Sequence, residues 1–357
     1  MMNKQNPQRR LFFSMMVLLL SLWMYYKASI NLVDLKEYSE TISIYSSTAT
    51  IDETKIQKIL QNNKTFSDSV DLVIWNEFEG ESVTNPRLFR NETTGILIAS
   101  GQINLLFGED VKLMEMDKEG GVISKGLAEK LFGDTRVVGK EFMYQQKTYS
   151  VRQVLTNVKE NLVVIRPQIN SDKRLNTITA MKPNSVISPN TLKSKLSNRY
   201  ELNGELTEFN LLTGLLTLYL YIPLIYVTFD MLRLGNVIIE DFDYTKQEYL
   251  PMQGLLKVFL WALVIGVWSY FLNRNNSISS DYIPSQWSDF DFFMRLGSEK
   301  IEALKDFVRM PKRYFEMCYL NYTRQVLIYN FLAIQFLKWS FKLQRSVQKK
   351  TAIKLIK

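Results

Sequence analysis

From Asn210 to Phe229 the chain reads NLLTGLLTLYLYIPLIYVTF. This run of about 20 residues carries no charge and is long enough to cross a bilayer as a helix. Pro223 inside it is tolerable there, because neighbouring helices can satisfy the freed carbonyl. A second run, Gly254 to Leu272, is equally apolar, with Lys257 near one end able to snorkel. Leu11 to Tyr26 is also uncharged, follows Arg9 and Arg10, and can be extended through Ala28 to Val33. A secretory signal peptide is the rival reading of that first run. The residues that follow, KASINLVDLKEY, offer no clear small-x-small cleavage site, so an uncleaved anchor is expected. The fourth candidate is weaker. Val326 to Leu337 is short, and it spans only if Tyr322 to Phe341 is counted, with Arg324 and Lys338 near the interfaces and Asn330 and Gln335 facing other helices. An amphipathic helix lying on the membrane is the alternative there.

At 357 residues the chain could hold two soluble domains, but the apolar runs leave one large polar stretch between the first and second. The expected layout is a cytoplasmic N-terminus (1–10), helix 1 (11–30), an extracytoplasmic domain (31–208) and helix 2 (209–229). A cytoplasmic loop (230–253), helix 3 (254–272), a further extracytoplasmic segment (273–322), helix 4 (323–341) and a basic cytoplasmic tail (342–357) follow. Lys4, Arg9 and Arg10 place the N-terminus inside by the positive-inside rule. One feature runs against this layout. The segment 273–322 carries Arg295, Lys300, Lys305, Arg309, Lys312 and Arg313, whereas the short internal loop holds only Arg233 and Lys246.

The net charge of +8 is spread along the chain, and much of the aromatic content lies in or beside apolar runs. Nucleic-acid binding wants a concentrated basic face, so it is not expected. The single cysteine, Cys318, excludes an internal disulfide, and histidine is absent. Ser-His-Asp and Cys-His catalysis, His-ligated zinc and imidazole switching are thereby excluded. No nucleophile–base or metal constellation is legible, and neither an enzyme nor a cofactor is expected.

The extracytoplasmic stretch reads as α+β. Ile51 to Leu60 has helical spacing of apolar residues, and Lys125 to Phe132 is a short amphipathic helix stopped by Gly133. Asp71 to Trp75, Ile96 to Ser100, Glu141 to Gln145, Thr148 to Leu155 and Leu162 to Arg166 read as strands, and Pro189 to Leu196 as a helix opened by Ser188. The acidic residues Glu77, Glu79, Glu81, Asp110, Glu115, Asp117 and Glu119 lack an EF-hand spacing or a fixed catalytic pair, and read as solvated charge. The segment Gly133 to Glu141 has one residue too many between its glycines for a phosphate-binding loop. Glu141 also stands where magnesium would want Ser or Thr.

Between Gly108 and Leu155 a specific order of residues stands out. It comprises Val122-Ile123-Ser124, Gly126-Leu127-Ala128, Leu131-Phe132-Gly133, Val138-Gly139-Lys140 and Tyr149-Ser150-Val151. This order resembles the extracytoplasmic core domain of MacB-type and FtsX-like ABC permeases. Leu127, Ala128, Leu131 and Phe132 would anchor a helix to a sheet, Gly133 would end that helix in the left-handed conformation, and Gly139 beside Lys140 would permit the turn into a hairpin. Arg152-Gln153-Val154 departs from the Val-Gly-Val usual in the family at the hairpin end, and the segment 273–322 is longer than its plan.

The resemblance implies a non-catalytic permease-like subunit in a bacterial plasma membrane. It further implies homo- or heterodimers, contact with membrane lipid and a separate ABC ATPase on the inner side. A coupling segment would lie in 230–253, where Arg233, Glu240, Asp241 and Asp243 are the candidates. A plain solvated loop fits the same residues, since their charge excess is negative. The alternative function is a stand-alone membrane-anchored binding or sensor protein without transport activity.

Overall fold

The computed structural model describes residues 7–46, 51–66, 69–107, 110–156, 158, 161–168, 173–182, 189–200, 204–207, 209–240, several positions within 258–269, 291–309 and 312–355. The chain divides into two compact units. One comprises residues 36–211 with 278–320, and the other residues 1–35, 212–277 and 321–357.

The first unit is a mixed α/β domain of nine strands. These are β1 (Thr41–Tyr45), β2 (Leu72–Asn85), β3 (Arg90–Gly101), β4 (Gly120–Ser124), β5 (Glu141–Tyr144), β6 (Lys147–Leu155), β7 (Leu162–Ile165), β8 (Thr177–Met181) and β9 (Glu205–Thr207). They pair in the order β3-β7-β4-β6-β5-β2-β8-β1-β9, and β2 also pairs with β3. Six strands therefore form a closed ring of pairings, from which β8, β1 and β9 extend. Among the described residues only β3–β7 and β4–β6 are parallel.

The long strand β2 makes this possible. Its first residues, Leu72 to Trp75, pair with β8, and Val83 and Thr84 pair with β5, with a register shift between Phe78 and Glu81 where the strand changes neighbours. The sequence pattern indicated only the apolar start of this strand. Its continuation through Glu77, Glu79 and Glu81 is stabilised by pairing with β3.

Four shorter helices accompany the sheet: α2 (Glu53–Thr65), α3 (Asn104–Phe107), α4 (Lys125–Phe132) and α5 (Pro189–Tyr200). Helix α2 starts later than its apolar spacing suggests. Asp52 caps it, accepting from the Lys55 N–H at 2.8 Å, and Ile51 bridges to Leu175 instead. Helix α4 has the expected limits, for local reasons. Ser124 Oγ accepts from the Leu127 N–H, and Gly133 takes φ 75° and returns its N–H to the Glu129 carbonyl. Two further terminal carbonyls of α4 are satisfied from the β2–β3 hairpin, Lys130 by Arg90 Nη1 at 3.2 Å and Leu131 by Asn85 Nδ2 at 3.2 Å. The β5–β6 hairpin turns on Gln145 and Gln146, both with positive φ, the geometry of a two-residue primed turn.

Two more helices complete this unit's outline. Helix α7 (Phe292–Arg309) lies wholly within it, and helix α8 (Tyr314–Leu355) contributes its first turns. The described residues 291–309 and 312–320 thus belong to the same compact body as the sheet.

The second unit is helical. Helix α1 (Pro7–Ser39) is longer than the expected anchor of 11–30. Helix α6 (Asn210–Glu240) continues through Glu240 into the stretch expected as a loop from Asp230 onward. Helix α8 extends the fourth apolar candidate at both ends. Among the described residues two helical stretches, Phe12–Ser39 and Asn210–Arg233, are long and apolar enough to cross a membrane, and α8 is not among them. Most of the third candidate span and all of the loop after Glu240 lie outside the described residues.

Helices α1 and α8 run antiparallel on a seven-residue repeat. Ser14 Oγ donates to the Ser340 carbonyl at 3.1 Å, Ser340 Oγ returns a bond to the Ser14 carbonyl at 3.0 Å, and Ser21 Oγ donates to the Ala333 carbonyl at 2.8 Å. One repeat further, Ala28 and Val326 are fully buried. Small residues at this spacing let two apolar helices approach closely, the usual device where no hydrophobic effect drives association. Helix α6 joins α8 through Asn330 Nδ2, which donates to the Tyr219 carbonyl at 2.8 Å, and through an Asp230–Arg345 ion pair at 2.8 Å. Asn330 thus faces another helix, as its position in an apolar run suggests.

Candidate functional site

In the sheet unit, three of the chain's passages to the helical unit fall beside one aromatic cluster. The passages are at 35/36, 211/212 and 320/321, and the cluster residues next to them are Tyr38, Phe209 and Tyr319. Phe315 is fully buried at its centre. Its ring centroid lies 5.0 Å from that of Tyr38, 5.9 Å from Phe209 and 6.5 Å from Trp75 of β2. Phe209 stacks on Tyr319 at 4.0 Å and accepts that residue's phenol hydrogen at its carbonyl. Trp75 is anchored in turn. Its Nε1 donates to Thr179 Oγ1 of β8 at 2.9 Å, and Thr179 exchanges a hydrogen bond with Ser43 of β1.

The start of α8 is fixed to the sheet by polar groups as well. The Tyr314 N–H donates to Glu77 Oε2 at 2.6 Å, so the acidic strand residue supplies a partner for an otherwise orphaned helix N–H. Arg313 lays its guanidinium on the Tyr45 ring at 3.9 Å and donates to Thr177 Oγ1. Glu316 closes the turn by accepting from the Arg313 N–H at 3.1 Å, the return half of a capping box. Burial pushes the Glu316 carboxyl above its ordinary range, with the Glu77 charge adding to this and Arg313 opposing it. Burial likewise pushes up the Cys318 thiol, one turn further along.

Beside these groups is a cavity of about 20 Å³, lined in part by Ser43, Thr207, Lys312 and Glu316, with room for a single water. These contacts fix the first turn of α8 to β1, β2 and β8.

Buried Arg166 is a second ordering element. Its guanidinium donates to the carbonyls of Ala99, Gly101, Leu113 and Met114, tying the segment before β4 to β3. Burial lowers its pKa to about 10.

The motif residues Leu127, Ala128, Leu131 and Phe132 are buried, and Gly133 and Gly139 take positive φ. Lys140 is exposed, with Nζ 5.9 Å from the Phe132 ring. The N–H groups of Gly139 and Lys140 are bonded to the carbonyls of Val151 and Val137, so they are not free to cradle a phosphate.

Some of the acidic residues read as solvated charge are engaged in ion pairs. Glu81 pairs with Lys173, Asp117 with Arg152 at 2.7 Å and Glu115 with Lys64 at 3.6 Å. Among the described residues no group of three acidic or cysteine side chains could hold a metal ion. Of the coupling candidates, Arg233 is exposed on α6 and Glu240 is the last residue of that helix, while Asp241 and Asp243 lie outside the described residues.

The joint itself escaped the sequence reading. Trp75, Arg313 and Phe315 come together only through long-range pairing, and no local spacing marks them. The seven-residue interval of Ser14, Ser21 and Ala28 was a legible signal for the helical seam.

No protein-family model matches the chain, and no curated protein sequence matches it. Among solved structures, the periplasmic region of MacB from Actinobacillus actinomycetemcomitans is similar with a TM-score of 0.39 and 13% identity, covering 50% of this chain and 92% of that chain. The extracellular domain of the noncanonic ABC-type transporter YknZ from Gram-positive bacteria is similar with a TM-score of 0.34 and 18% identity, covering 47% of this chain and 98% of that one.

Proposed function

We propose that this chain is a non-catalytic, permease-like membrane subunit of an ABC system of the MacB/FtsX type, coupling a separate ATPase to its sheet domain for export or mechanotransmission. The observation that carries this reading is the joint. The starts of α6 and α8 and the end of α1 are held in one packed cluster against β1, β2 and β8, which suits the relay of movement between helices and a folded head.

Supporting it are the folded 122–151 motif and the outward-facing apolar side chains of α1 and α6. In the helical unit, the N-terminal part of α1 and the C-terminal parts of α6 and α8 lie at one end, linked through Ser14–Ser340 and Asp230–Arg345. That arrangement is the one a four-span chain with both termini in the cytoplasm requires. On this reading the protein resides in a bacterial plasma membrane, works as a homo- or heterodimer and meets its ATPase through Arg233, Glu240, Asp241 and Asp243.

Purification of the full chain from its native membrane in mild detergent tests the proposal. An ABC ATPase is expected to co-elute and to be lost with Arg233→Glu or Asp241→Lys. Absence of any ATPase, with no effect of these variants, would favour a stand-alone sensor instead. For the topology, Ser285→Cys and Ser288→Cys should be labelled from outside intact cells, and protection would reject the four-span arrangement.

A further inference from the structure

Helix α7 (Phe292–Arg309) is strongly amphipathic, yet only part of its apolar surface is used. Phe307 packs edge-on against Phe209 with ring centroids 5.6 Å apart, and Phe292 and Leu296 are half-buried. The neighbouring arc is open. Phe293, Met294, Ile301, Leu304 and Val308 follow helical spacing along one side and are between 36% and 76% exposed. Their order is interrupted by Gly297, which leaves the face flat rather than ridged.

We infer that this arc lies on the lipid bilayer, as an interfacial helix placed just before α8. The inference rests on reading α6 as a membrane span. Phe209, on which Phe307 packs, immediately precedes Asn210, the first residue of that span. The C-terminal turn of α7 is therefore fixed beside the point where α6 enters the membrane. The charges agree with this site. Lys305 borders the open arc, and Arg295 and Arg309 lie on the polar side, where long cationic stems can reach headgroups.

Along the helix, Arg295, Lys300, Lys305 and Arg309 are offset by Glu299, Glu302 and Asp306. Burial of apolar surface, rather than attraction to anionic lipid, must then supply most of the affinity. A second copy of this chain is the less suitable occupant. Five partly exposed side chains present less than the ~800 Å² per partner that a stable protein interface buries.

The test uses the full chain with Cys318→Ser, reconstituted into phosphatidylcholine/phosphatidylglycerol vesicles and labelled with an environment-sensitive fluorophore at one new cysteine. Met294→Cys, Ile301→Cys and Val308→Cys report on the open arc, Ser298→Cys and Glu302→Cys on the polar side, and Leu218→Cys on the exposed side of α6. Nitroxide lipid is expected to quench the arc positions at least about threefold more than the polar ones, and aqueous iodide should show the reverse order.

Equal access of iodide to both faces would overturn the inference. Protection of the arc from both quenchers would also overturn it, and cross-linking between copies at Ile301→Cys would then identify a second chain as the occupant. Loss of lipid quenching at Leu218→Cys would defeat the membrane reading of α6 itself, whereas its retention alongside an unquenched arc defeats only the placement of α7. Ser298→Cys and Glu302→Cys leave the apolar arc intact, so they stay informative if an arc variant fails to fold.

Discussion

In the sheet domain Trp75, Phe142, Leu97 and Leu106 are buried and charged residues line the outside, whereas the helical unit is sorted the other way. There Phe12, Trp23, Leu218 and Phe331 face outward, and Ser14, Ser21, Asn330 and Ser340 are turned in beside apolar residues such as Val326 and Leu337. Water drives apolar side chains together in the first case. On the proposed membrane reading the surroundings in the second are as apolar as the side chains, so close approach of small residues and internal hydrogen bonds hold the helices. The same amino acids therefore carry different structural weight in the two halves.

The largest test of this contrast is a matched pair. Phe142→Ala, in the sheet core beside Tyr149, should cost about 3–5 kcal/mol and lower the melting temperature of the domain. Leu218→Ala, exposed on α6, should change stability in micelles by less than about 0.5 kcal/mol. Equal losses would mean that α6 is packed as a soluble core helix.

Ser124→Ala comes next. Its hydroxyl accepts from the N–H groups of both Leu127 and Leu162, so its removal should cost about 1–2 kcal/mol in denaturant unfolding. Inside the helical unit the effects should be smaller. A double-mutant cycle on Ser14→Ala and Ser340→Ala, read by SDS unfolding, should give a coupling of about 0.6 kcal/mol.

The last test concerns pH at the joint. Glu316 has a raised pKa in the folded protein, so folding favours its protonated form. Its contribution is most favourable below its ordinary value of 4.5 and is lost as pH rises through the folded-state value. Glu316→Gln should therefore raise the melting temperature at neutral pH, and the gain should shrink as pH falls toward 4.5. A gain that persists unchanged in acid would show that Glu316 is not the buried ionised group described above.

Elements with local signals were legible from the chain. Helix α4 was bounded correctly because Ser124 and Gly133 act within one turn of their targets. Apolar runs placed β3, β6 and β7 for the same reason. Strands β1 and β8, TISIY and TITAM, were missed. Their alternation is weak, and each is stabilised chiefly by the other across more than 130 residues of chain. Helix α7 was missed although its periodicity is plain, since the segment was weighed for its charge alone.

By itself the sequence determined two long apolar helices, the motif helix with its two turn glycines, and the exclusion of histidine-based chemistry. Those follow from residue type and near-neighbour spacing, which act before any tertiary structure forms. Only the folded chain decided that Trp75, Arg313 and Phe315 share one cluster, that six strands close in a ring, and that Ser14 and Ser21 of α1 meet Ser340 and Ala333 of α8. Such groupings depend on register between distant segments, and register is set by packing the whole domain at once.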